Sequence, residues 1–131
     1  MNTPATWPQA RKDAAYFAMT TARHFVAAAS GQNIRLEDWA IVGAHEPERD
    51  PDGLLGMPGQ YLAKLTWRVE GKDAALEVFA SSEDAEARAE SLRPWLPFVF
   101  VHPNRCAVVR LHRLPEHWRS LLVEIGFRGL P

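Results

Sequence analysis

The chain has 131 residues, 47% hydrophobic and 24% charged, with a formal net charge of −1. That is the length and balance of one globular domain, so a disordered, collagen-like or low-complexity chain is excluded. So is a protein held to nucleic acid chiefly by overall positive charge.

A single cysteine, Cys106, allows no internal disulfide framework. No run approaches the roughly 18 apolar residues of a membrane span. The first residues lack a basic stretch followed by an apolar one, so no signal peptide is expected and the expected compartment is the cytoplasm. Twelve Arg against three Lys, with 19 Ala and 10 Pro, is a mixture from which a GC-rich, bacterial genome is expected.

The first predicted element is a helix from about Pro8 to Ala29. Ala14, Phe17, Ala18, Thr21, Phe25 and Ala29 recur at three and four residues and make one apolar stripe. Ser30-Gly31 is the expected stop, with Gly31 in the left-handed position. Trp39 to Gly43 reads as a short strand. Residues 45–59 hold three Pro and three Gly, which forbids regular structure, and a loop of that length is often functional.

Tyr61, Ala63, Leu65, Trp67 and Val69 alternate with Leu62, Lys64, Thr66, Arg68 and Glu70. Period two marks a half-buried strand. Gly71-Lys72 is the expected turn into a second, antiparallel arm at Leu76–Ala80. Ser82 is the expected cap of a helix over about Glu83–Arg93, stopped by Pro94. Residues 97–111 read as a hairpin around Pro103-Asn104. Phe98, Phe100, Ala107, Val109 and Leu111 share one face, and Val99, Val101, Cys106 and Val108 share the other. Such a hairpin is covered twice in mid-sheet or leaves an apolar face open. A last helix spans about Pro115–Ile125, with Gly126 as its cap.

The order α-β-ββ-α-ββ-α implies a single α+β domain over residues 1–131. Its sheet is largely antiparallel, with helices packed mainly on one face. Trp39, Trp67 and Trp118 fall on the core stripes.

Few constellations carry chemistry. His102, Cys106, His112 and His117 lie within sixteen residues, but their spacings match no common zinc site. Cys106 sits among Ala and Val in a predicted strand, where a buried structural thiol is expected rather than a nucleophile. Pro47 and Pro51 interrupt any calcium-loop pattern in the acidic stretch. Gly53, Gly56 and Gly59 lack the following helix of a phosphate cradle. No nucleophile elbow, P-loop or His-Glu-x-x-His is present. No catalytic residue, metal or cofactor is therefore assigned, and the enzyme question leans toward no.

Charge is segregated along the chain. Residues 37–90 carry 13 acids and 5 bases, net −8; residues 91–131 carry 6 bases and 2 acids, net +4; residues 1–36 carry 4 bases and 1 acid, net +3.

The first functional expectation is a small non-enzymatic protein that binds another protein, as a regulator, inhibitor or accessory subunit. Leu54, Leu55 and Met57 would anchor the partner inside an acidic rim of Glu46, Glu48, Asp50 and Asp52. A homodimer through the 97–111 hairpin is a related expectation. The second is a small-ligand protein or enzyme, its pocket between helices and sheet, with His45 or His24 as base and an Arg as anion anchor. The third, least favoured, is weak nucleic-acid binding by a basic face of Arg11, Lys12, Arg23, Arg113, Arg119 and Arg128.

Overall fold

The structure is a computed structural model and describes residues 9–43 and 60–129, with side chains from Asp13 onward. Helix α1 spans Gln9–Gly31. Its buried stripe is Ala15, Ala18, Met19, Ala22, Phe25 and Ala29. The helix stop is displaced from the expected one. Gly31 is still helical, and Asn33 takes the left-handed conformation at φ 57°. Ile34 N–H donates to Ala29 O at 2.9 Å and Asn33 N–H to Ser30 O at 3.0 Å. Those two bonds make a Schellman stop, which asparagine tolerates because it enters the left-handed region at modest cost.

Strands β1 (Glu37–Gly43), β2 (Ala63–Val69) and β3 (Lys72–Val78) follow. Glu70 and Gly71 have φ of 51° and 78°, the pair of positive angles that a type I′ turn requires. The turn is therefore one residue earlier than expected, and Lys72 already pairs with Val69. Helix α2 spans Ser82–Leu92, and its cap is Ser81 rather than Ser82, with Oγ accepting from Asp84 N–H at 3.1 Å.

Strands β4 (Phe98–His102) and β5 (Ala107–Leu111) form the hairpin. Its turn is a 3-10 segment, Pro103–Arg105, closed by Cys106 at φ 55°. This turn has four residues instead of two. Both lengths are even, so the expected faces survive: Phe98 pairs with Leu111 and Phe100 with Val109, while Val101 pairs with Val108 on the other side. Cys106 itself belongs to the turn, not to a strand. Helix α3 (Glu116–Glu124) and a two-residue strand β6 (Arg128–Gly129) end the described chain.

The six strands form one antiparallel sheet in the order β1-β2-β3-β5-β4-β6. The expected element order is found, and the fold is α+β. Helices α1 and α3 cover one face over Leu65, Trp67, Leu76, Val109 and Leu111. Helix α2 covers part of the other, over Val99, Val101 and Val108. The 97–111 hairpin is thus in the sheet interior with both faces covered.

The larger core is centred on aromatic rings. Trp67 and Trp118 stack at 5.3 Å, and Phe25 lies 5.3 Å from Trp67. Trp39 does not join them: it is 50% exposed. Its strand is outermost, and the left-handed Asp38 at φ 53° breaks the β1–β2 register between Glu37 and Ala40. No helix among the described residues is long and apolar enough to cross a membrane.

Candidate functional site

The acidic stretch with Glu46, Glu48, Asp50, Asp52, Leu54, Leu55 and Met57 lies outside the described residues, as does His45. The side chains of Arg11 and Lys12 do so too. Arg23, Arg113 and Arg119 are exposed, Arg23 on α1 and Arg119 on α3, and both helices are on one face of the sheet. Arg128 leaves that group. It pairs with Val101 across β4–β6, which turns it to the α2 side, where Nη2 lies 3.7 Å from Glu86 Oε1. Arg128 therefore lies apart from Arg23 and Arg119.

A pocket of about 190 Å³ opens between α1, the β4–β5 turn and the chain leaving α3. Along α1 the stripe Phe17, Thr21, His24 and Ala28 advances by four, three and four residues, so it is one flank of the helix. The last three of these line the pocket together with Phe25. Ile125 and Phe127 add apolar wall, and His102 and Arg105 complete it. The Arg105 guanidinium lies 5.2 Å from the centre of the Phe17 ring, a cation–π contact that ties the turn to the helix flank. Tyr16 and Phe17 are among the exposed large apolar side chains, Tyr16 at 74%.

His102 is held in one tautomer. Its Nε2–H donates to Ile125 O at 3.1 Å, and Phe127 meets the ring edge-on at 5.3 Å. Gly126 makes this approach feasible: at φ 102° it has no Cβ, which would fall 2.6 Å from His102 Nε2. Burial pushes His102 below the ordinary histidine value; the Ile125 bond opposes this, and Arg105 adds to it. With Nε2 protonated, Nδ1 is an acceptor, yet it is buried without a hydrogen-bond partner. Thr21 Oγ1 is in the same state, on a residue only 7% exposed. Two pocket residues thus carry buried, unused hydrogen-bonding capacity, which is costly and uncommon.

Of the residues singled out by sequence, the pocket gathers His24, and Arg105 lines it too. The sequence marks Thr21 only as a core position and His102 only as a metal candidate. Their meeting depends on Gly126, and no local pattern signals it. Among the described residues no three His, Cys, Asp or Glu side chains come together as a metal site. Cys106 is half-buried, and burial, then the Asp84 carboxylate, push its thiol up. A thiol so placed stays protonated at neutral pH and makes a poor nucleophile.

A larger and more open hollow, of about 520 Å³, lies at the C-terminal end of α1, lined by Val26, Ile34, Leu36 and Trp39 together with Ser30, Asn33 and Arg35. It holds no buried charge or orphaned polar atom. No family model, no curated protein and no solved structure matches this chain.

Proposed function

We propose that the protein acts by binding another protein without catalysis, and that the α1-flank pocket receives an anchoring side chain of that partner. One observation carries this reading: the pocket has the capacity of a single side chain. At about 190 Å³ it is close to the roughly 150 Å³ cavity that accepts benzene and below the usual 300–1,000 Å³ of small-molecule sites. Exposed Phe17 and Tyr16 extend the apolar surface beside it, as the aromatic surround of an interface anchor does. Arg105 and His24 in its wall, with exposed Arg23 on the same helix, favour acidic residues flanking the anchor. The partner segment is therefore an acidic peptide carrying one aromatic or leucine side chain. The expected acidic loop anchors at 46–57 are not needed for this reading.

Selection from a random peptide display library tests it. Enriched peptides should share an aromatic or Leu beside Asp or Glu. Their binding should vanish with Ala28→Phe, which fills the pocket, and weaken about tenfold with Arg105→Gln, a loss of about 1.4 kcal/mol. Peptides that bind Ala28→Phe as well as wild type would sink the proposal. A second reading, a small aromatic acid as ligand, is favoured by the unpartnered Thr21 Oγ1 and His102 Nδ1. It predicts that benzoate-sized fragments bind the pocket while no peptide is enriched.

A further inference from the structure

On the sheet face opposite α1, four charged side chains converge beside α2. Glu77 projects from the middle of β3 and is 1% exposed. Lys64 on β2 is directly across from it, and Arg110 on β5 is one row along, opposite Ala75. Arg88 reaches down from α2 and grips the carboxylate with both ends: Nε to Oε1 at 2.8 Å and Nη2 to Oε2 at 3.3 Å. That bidentate contact uses two of the carboxylate's acceptor positions.

Two further cations share the same single carboxylate. Arg110 Nε lies 3.5 Å from Glu77 Oε2, but the atom is buried and forms no hydrogen bond. Lys64 is half-buried, its Nζ lies 5.4 Å from the centre of the Tyr61 ring, and its charge is acted on by Arg110, Glu77 and Arg88. Burial first, then Arg110, push its ammonium below the ordinary lysine value, against the pull of Glu77; Arg88 adds to the depression. Three cations around one carboxylate leave a local charge of +2 in partly desolvated surroundings. Like charges held so close are costly unless an anion joins them. Thr66 neighbours Lys64 on the same face, across from Ala75, and offers a hydroxyl.

We propose that Lys64 and Arg110, with Arg88 fixed by Glu77, form a binding site for a phosphate group. The planar Arg fork and the Lys point charge are the donor set that a tetrahedral dianion requires. The site lies on the opposite sheet face from the α1-flank pocket, so its success or failure is independent of that pocket's role.

Inorganic phosphate is the probe, added to the full chain in a phosphate-free buffer with sodium chloride matching its ionic strength. Mass spectrometry after brief acetic anhydride treatment reads acylation at each lysine. Phosphate should slow acylation of Lys64 at least fivefold and leave exposed Lys72 unchanged. Thermal unfolding should show a stabilisation by phosphate beyond that of chloride, lost in Arg110→Gln and in Lys64→Gln but kept in Arg93→Gln. Equal protection of both lysines, or none, would overturn the proposal in the unaltered protein, whether or not the variants fold. A phosphate increment that persists in folded Arg110→Gln would overturn it too.

Discussion

Replacing Glu77 with glutamine removes one negative charge from the point that three cations share, with almost no change of shape. The carboxylate accepts two charge-assisted bonds from Arg88, each worth about 1.5–3 kcal/mol, and glutamine can keep one of them. The loss should fall short of the roughly 3–5 kcal/mol seen when a fully buried pair is broken. The reason is that the Arg88 and Arg110 side chains are 37% and 21% exposed and regain part of their hydration. The expected cost is about 2–3 kcal/mol, or about 7–11 °C in Tm at about 2.1 cal/mol/K per residue.

Urea unfolding followed by tryptophan fluorescence in phosphate-free buffer measures this cost as a lower midpoint at unchanged slope. Glu90→Gln is the control, because Glu90 pairs with Arg93 on the surface at 3.1 Å and should be worth under about 0.5 kcal/mol. A double-mutant cycle of Glu77→Gln with Arg88→Met should return a coupling above about 1 kcal/mol. If Glu77→Gln costs no more than Glu90→Gln, the carboxylate does not hold the cluster together and the reasoning fails.

Gly126→Ala should lower stability by about 3 kcal/mol. It combines an unfavourable positive φ with a Cβ 2.6 Å from His102 Nε2; a chemical denaturation midpoint equal to wild type would contradict the crowding. His102 has a folded-state pKa below its unfolded value, so its stabilising contribution is complete above about pH 6.5 and is lost as pH falls through the folded value. His102→Gln should therefore show a shallower loss of stability between pH 7.5 and 5.5, and parallel slopes would refute the assignment. Trp118→Ala should cost about 3–5 kcal/mol and quench the packing of Trp67 and Phe25, seen as loss of near-ultraviolet circular dichroism. Asp84→Asn should lower the Cys106 thiol pKa and so speed its reaction with a disulfide reagent at pH 8, because the Asp84 carboxylate raises it.

The fold is written in periodicity, and periodicity is local. The alternation from Ala63 to Val69 marks β2 because one face of that strand is buried and the other is partly wet, whereas Leu62, expected on the wet face, lies before the strand and is buried. The hairpin faces follow from counting alone, since any even turn keeps Phe98 and Phe100 on the face of Val109 and Leu111. What escaped was decided by single residues in unusual backbone states. Asn33 stops α1 in place of Gly31, Asp38 turns Trp39 out of the core, and Cys106 closes a turn instead of filling a strand. These choices depend on what the rest of the fold buries, and asparagine, aspartate and cysteine carry no signal as plain as glycine's.

The two sites were harder still to read, for a related reason. Each is assembled across long sequence separation by groups that look ordinary where they stand. Glu77 had one local sign, an acid between Leu76 and Val78 on a strand that proves central, and that sign becomes informative only once β5 is known to lie beside β3. Its burial then demands a cation, and the sheet supplies more cations than the acid can neutralise. The pocket has the opposite origin. His102, admitted by Gly126, walls a gap beside α1 that Ala28 is too small to fill. A surplus of charge on one face and a deficit of volume on the other are both departures from what stability alone would select. Departures of that kind are where a small domain with no catalytic motif is expected to keep its function.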